Sequence, residues 1–128
     1  MKTIVRSAFN KEIARFFISG CSAVLIDMAV YFVLKKQIDE NLAKGISFLT
    51  GTVVAFLMNK LWTFGKREKS LTEVFKFALL YLSTLCLNIA VNHFILSINH
   101  SVYWSAFIAA TGCSTVSNFL GQKFWVFK

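Results

Sequence analysis

Residues 77–122 contain no Asp, Glu, Lys or Arg. A membrane-spanning helix takes about 20 mostly apolar residues, so this stretch holds two, with Asn99-His100-Ser101 as the natural turn between them. Two further stretches fit the same description. Residues 16–34 are uncharged except for Asp27, and residues 45–64 are uncharged except for Lys60, close to the end. These runs predict helices at about 14–34, 44–64, 75–98 and 102–126. Each run is longer than the ~9–11 residues of a barrel strand and lacks strict alternation. Hydrophobic residues make up 56% of the chain and charged ones 16%, with a mean hydropathy of +0.61; soluble domains carry roughly 45–50% apolar and about 25% charged residues. The expected fold is all-α, a polytopic membrane protein forming one membrane domain over residues 1–128.

The second half repeats the first. Lys60-Leu61-Trp62-Thr63-Phe64 returns 63 residues later as Lys123-Phe124-Trp125-Val126-Phe127. Arg15-Phe16, Ser22, Asp27 and Leu34 are echoed by Lys76-Phe77, Ser83, Asn88 and Ile95 at an offset of 61. A repeat fixes architecture before any single residue is interpreted. One helical hairpin is written twice, over about 14–64 and about 75–127.

The net charge of +8 does not point to nucleic acid, because the cations sit at the ends of the spans. Lys2, Arg6, Lys11 and Arg15 precede the first helix. Lys60, Lys66, Arg67, Lys69 and Lys76 surround the 2–3 loop, and Lys123 and Lys128 close the chain. The 1–2 connection has Lys35, Lys36 and Lys44; the 3–4 connection has none. The positive-inside rule then puts both termini and the 2–3 loop in the cytoplasm. The two hairpins are therefore parallel repeats. No signal peptide is expected, since the first apolar run is too long for one. Residues 1–13 read equally as a short interfacial helix or a flexible leader. Cys21, Cys86 and Cys113 all fall inside predicted spans, and their odd number and spacing suit neither a disulfide framework nor a metal. No cofactor is called for. No nucleophile–base pair or paired carboxylates suggest an enzyme, and Asp39 and Glu40 read as solvated loop residues.

Two rows of residues recur at four-residue spacing, which keeps them on one helix face. They are Ser47, Gly51, Ala55, Asn59 and Thr63, and Ala110, Ser114, Asn118 and Gln122. Small members let helices approach closely. Asn59, Asn118 and Gln122 either join helices or line a polar path. Asp27 lies inside a span, where a carboxylate costs about 2.5–3.5 kcal/mol near the bilayer centre. It should be paired, hydrated or protonated. It reads as part of a polar site or as an anchor bonded to Asn88, its counterpart, or to Asn92. Lys60 and Lys123 sit one turn inside the interface beside Trp62 and Trp125. They either snorkel among interfacial aromatics or form, with Arg15 and Lys76, a cationic collar for a phosphate.

Taken in order, Arg15-Phe16 with Gly20 and Asp27, Asn59-Lys60-Leu61-Trp62-Thr63-Phe64, Lys76-Phe77 with Asn88, and Asn118-Phe119 followed by Lys123-Phe124-Trp125-Val126-Phe127 resemble the GtrA family of small four-helix membrane proteins. The resemblance runs from about residue 12 to the end of the chain. Family members often have Arg where this chain has Lys60 and Gln122-Lys123. The resemblance implies a part in cell-surface polysaccharide synthesis: moving a polyprenyl-phosphate-linked sugar, such as undecaprenyl-phosphate glucose, across the bacterial inner membrane. On that reading Lys60, Lys123, Arg15 and Lys76 attract the phosphate. Asp27, Asn59, Asn88, Asn92, Asn118 and Gln122 meet the sugar along the way. Membrane lipids and a second copy of the chain are the expected partners, since four helices hardly enclose a sugar path. Two rivals stand beside this: a scaffold that recruits a membrane glycosyltransferase, and a small multidrug-resistance-type proton-coupled exporter. The duplicated basic ends speak against an exporter of cations.

Overall fold

The computed structural model describes residues 1–128. It is all-helical: α1 Lys2–Leu34, α2 Glu40–Met58, α3 Leu71–Ile98 and α4 Tyr103–Gly121. A single π-helical turn follows α2 at Asn59–Thr63, and another follows α4 at Gln122–Val126. The chain divides into two compact units, Met1–Glu68 and Lys69–Lys128. Each is an antiparallel hairpin with its own π turn.

The distribution of side-chain size identifies the solvent. The buried positions are mostly small: Ala23, Ala43 and Ala55 in the first unit, Ala106 and Ala110 in the second. Large apolar side chains such as Phe17, Leu25, Phe48, Leu49, Phe94 and Ile108 are exposed. Water would penalise this arrangement, whereas lipid rewards close backbone approach and is indifferent to outward-facing leucine. Lys2–Leu34, Glu40–Thr63 and Leu71–Ile98 are each long and apolar enough to cross a membrane. The shorter α4 carries Ser105, Thr111, Ser114, Thr115, Ser117 and Asn118 and packs along α3. The chain is a membrane protein.

The helix ends follow from local chemistry. Asp39 caps α2, its carboxylate accepting from the backbone N–H groups of Asn41 (3.0 Å) and Leu42 (3.1 Å). Glu40 accepts the Tyr31 hydroxyl at 2.6 Å. Both acids therefore have structural partners rather than being merely solvated. Asp39→Ala is expected to cost about 1 kcal/mol, read as a lowered melting temperature in detergent. Ser70 caps α3 by accepting from the Glu73 N–H. The Asn99 side chain accepts from the Ser101 N–H at 3.0 Å and makes the α3–α4 turn. Gly65 has φ +64°, a left-handed conformation suited to glycine. It lets the Lys66 N–H reach back to the Lys60 carbonyl at 2.7 Å.

Residues 2–13 are neither a separate interfacial helix nor a flexible leader. They continue α1 without a break, because no Gly or Pro interrupts them and Lys, Arg, Ala and Glu favour helix. At 33 residues α1 is about 50 Å long, well beyond the ~30 Å of hydrocarbon. Cys21, Cys86 and Cys113 are free thiols on exposed helix surface rather than buried.

Candidate functional site

The four-residue rows are the contact seams. In the first unit Ala43, Ser47, Gly51, Ala55, Asn59 and Thr63 are all buried, facing Ser19 and Ala23 on the same stripe of α1. The contact is closest at Gly51, where an added Cβ would lie 2.9 Å from the Ala23 carbonyl oxygen. In the second unit Ala106, Ala110, Gln122 and Val126 are buried, with Ser114 and Asn118 half-buried between them.

The π turns carry the repeated Lys-x-Trp segment. The Phe64 N–H bonds the Asn59 carbonyl and the Phe127 N–H bonds the Gln122 carbonyl, each at 2.9 Å and five residues apart. The first helix of each unit sends a cation to the same place. Arg15 donates to the Trp62 carbonyl at 3.0 Å, and Lys76 donates to the Trp125 carbonyl at 3.4 Å. Each cation also stands over the neighbouring indole, at 5.5 and 5.6 Å from the ring centroid. Carbonyls at a helix C-terminus lack intrahelical partners and carry partial negative charge, so a cation satisfies both needs. Sequence reasoning singled out Arg15, Lys76, Trp62 and Trp125 but not these bonds.

Lys60 is buried, and its ammonium donates to the Glu68 carbonyl, closing the loop that follows the π turn. Lys123 is half-buried, with its ammonium 5.8 Å from the Phe124 ring centroid. At the foot of the first unit Ser19 donates to Thr63 (3.3 Å), whose own hydroxyl donates to Asn59 Oδ1 (3.1 Å).

Asp27 is paired, but not with Asn88 or Asn92. Both of its carboxylate oxygens accept from the Lys44 ammonium at 3.0 Å. The reason is register. Asp27 lies seven residues before the end of α1 and Lys44 four after the start of α2. At 1.5 Å per residue both sit near the turn, and the lysine stem covers the difference. Lys44, read from sequence as part of the connection, is thus a member of α2 and belongs with the site residues. Asn88 instead donates to Ser114 Oγ at 3.1 Å. Thr84 donates to Asn118 Oδ1, also at 3.1 Å. Asn92 is half-buried one turn further along α3. Two sets therefore form: Arg15, Asn59, Lys60 and Trp62 at the π turn of the first unit, and Lys76, Gln122, Lys123 and Trp125 at that of the second.

Residues 15–127 match the family described as GtrA/DPMS, transmembrane domain. The chain is also similar to an uncharacterised membrane protein, YngA of Bacillus subtilis (strain 168). The two are 28% identical over 119 residues, covering 91% of this chain and 80% of that one. No solved structure matches.

Proposed function

Because the chain belongs to the GtrA/DPMS transmembrane family, we propose that it serves polysaccharide synthesis by carrying a polyprenyl-phosphate-linked sugar across the bacterial inner membrane. The observation that carries this reading is the layout of the second hairpin. It holds no charged residue between Lys76 and Lys123, yet its interior has hydrogen-bonded amide and hydroxyl rungs, Thr84–Asn118 and Asn88–Ser114. A hydroxylated headgroup must pass about 30 Å of hydrocarbon, and rungs of this kind lower that barrier while the prenyl tail stays in lipid. Lys76 and Lys123 at the foot of this hairpin, and Arg15 and Lys60 at the foot of the other, supply the charge that draws a phosphate.

In this proposal the termini and the loop carrying Lys66, Arg67 and Lys69 face the cytoplasm, following the positive-inside rule. Two copies of the chain work together, since four helices are few to surround a hexose. The chain performs no catalysis, and consumption of the lipid on the far side pulls the flux by mass action.

Reconstitution with a labelled polyprenyl-phosphate hexose tests this. Lys123→Ala and Lys60→Ala are each expected to slow translocation about tenfold, the worth of one charge-assisted hydrogen bond, with folded protein retained. Wild-type protein that moves no lipid would overturn the reading, and unchanged rates in both variants would remove the lysines from it.

A further inference from the structure

The two hairpins are repeats in sequence, yet they keep their polar groups at different heights. In the first unit, hydrogen bonds lie at the foot, Ser19–Thr63–Asn59, and near the turn, Asp27–Lys44. The stretch between is Ala23 against Ala55 and Gly51. In the second unit the positions matching Ala23 and Ala55 are Thr84 and Asn118, and those matching Asp27 and Gly51 are Asn88 and Ser114. Thr84–Asn118 is therefore a hydrogen-bonded polar rung where the first unit is apolar, while Asn88–Ser114 stands at the height of Asp27.

The feet differ in the opposite sense. Asn59 has the hydroxyl of Thr63, four residues on, as its partner. Its counterpart Gln122 has Val126 four residues on, at the matching place, and valine offers no hydroxyl. Gln122 is 0% exposed, and neither its amide nitrogen nor its amide oxygen has a hydrogen-bond partner. Buried polar side chains are overwhelmingly paired, and an unpaired one calls for a reason.

The chemistry of the amide says what would satisfy it. Nε2 needs an acceptor and Oε1 needs a donor. A phosphate only accepts, so it would leave Oε1 unpaired and repel it. A sugar hydroxyl both accepts and donates, and a vicinal diol spans both amide atoms. We infer that Gln122 is the hydrogen-bonding partner of the sugar, distinct from the lysines that attract the phosphate, and that the sugar travels along α3 and α4 rather than along the first hairpin. The inference rests on the transport reading and deepens it. From Gln122 the next groups one and two turns along α4 are Asn118 and Ser114, which Thr84 and Asn88 hold in place. Because the amide is sealed in this conformation, the sugar reaches it only when the π turn at Gln122–Val126 shifts.

Two variants of the full chain test it, using polyprenyl phosphate with and without an attached hexose as the probes. Wild-type protein is expected to bind the hexose-bearing lipid about tenfold more tightly than the bare lipid. Gln122→Met, which keeps the volume, should abolish that preference, leave the bare lipid unchanged and not lower the melting temperature. Val126→Thr supplies the hydroxyl found in the first unit. It should raise the melting temperature while weakening the preference for hexose, because the amide is then already occupied. A hexose preference that survives Gln122→Met overturns the inference alone. Wild-type protein that binds neither lipid overturns the transport reading and the inference with it.

Discussion

Gly51→Val is expected to destroy the first hairpin. A Cβ at this position would stand 2.9 Å from the Ala23 carbonyl oxygen and 3.1 Å from the Asp27 Cβ. The first obstacle is backbone and cannot swing aside, so α1 and α2 would have to separate along the whole seam. Overpacking a tight contact costs about 1–3 kcal/mol, and the valine methyls push the figure to about 3 kcal/mol or more. Gly121 is the control. There an added Cβ meets the side chain of Leu80, at 2.5, 2.8 and 3.2 Å from its carbons. A leucine can change rotamer, so Gly121→Ala should cost under about 1 kcal/mol. Thermal melts of both variants in detergent decide the matter: equal melting temperatures would mean that the seam yields more than its geometry allows.

The second large effect is at the ion pair. Lys44→Met is expected to cost about 2 kcal/mol, because it leaves Asp27 as a carboxylate with no cation in a low-dielectric setting. Asp27→Asn should cost much less. The Lys44 side chain is 57% exposed against 19% for Asp27, so a lysine without its partner can extend towards the membrane interface while the carboxylate cannot. The double variant should therefore be more stable than Lys44→Met alone, the signature of coupled neighbours. Additive losses would show that the two groups stabilise the hairpin independently.

Much of this architecture was legible in the sequence because it follows from length and charge. The uncharged runs gave the four helices, and Asn99-His100-Ser101 gave the second turn. The four-residue rows from Ser47 and from Ala110 proved to be the seams, since the face of a helix is fixed by its period. The partner of Asp27 was not legible: it depends on where α1 ends and α2 begins, and a shift of a few residues exchanges Lys44 for a loop residue. The π turns left no signature, because a bond over five residues rather than four answers to packing around the turn. The bonds from Arg15 and Lys76 to the Trp62 and Trp125 carbonyls are hidden for the same reason, although all four residues stood out. The unpaired amide of Gln122 could have been suspected by setting Thr63 beside Val126, a difference that means little until the two side chains are known to be neighbours.

The inside-out distribution of size has a consequence for how this chain tolerates change. In a water-soluble protein the bulky apolar residues are the constrained ones. Here, apart from the buried Phe77, Phe119 and Phe127, most of them border a fluid that adapts to any contour, so Leu25, Phe48 or Ile108 can be swapped for other greasy residues at little cost. The fixed points are the smallest side chains, Ala23, Ala43, Gly51, Ala55, Ala106 and Ala110, where a single extra carbon matters.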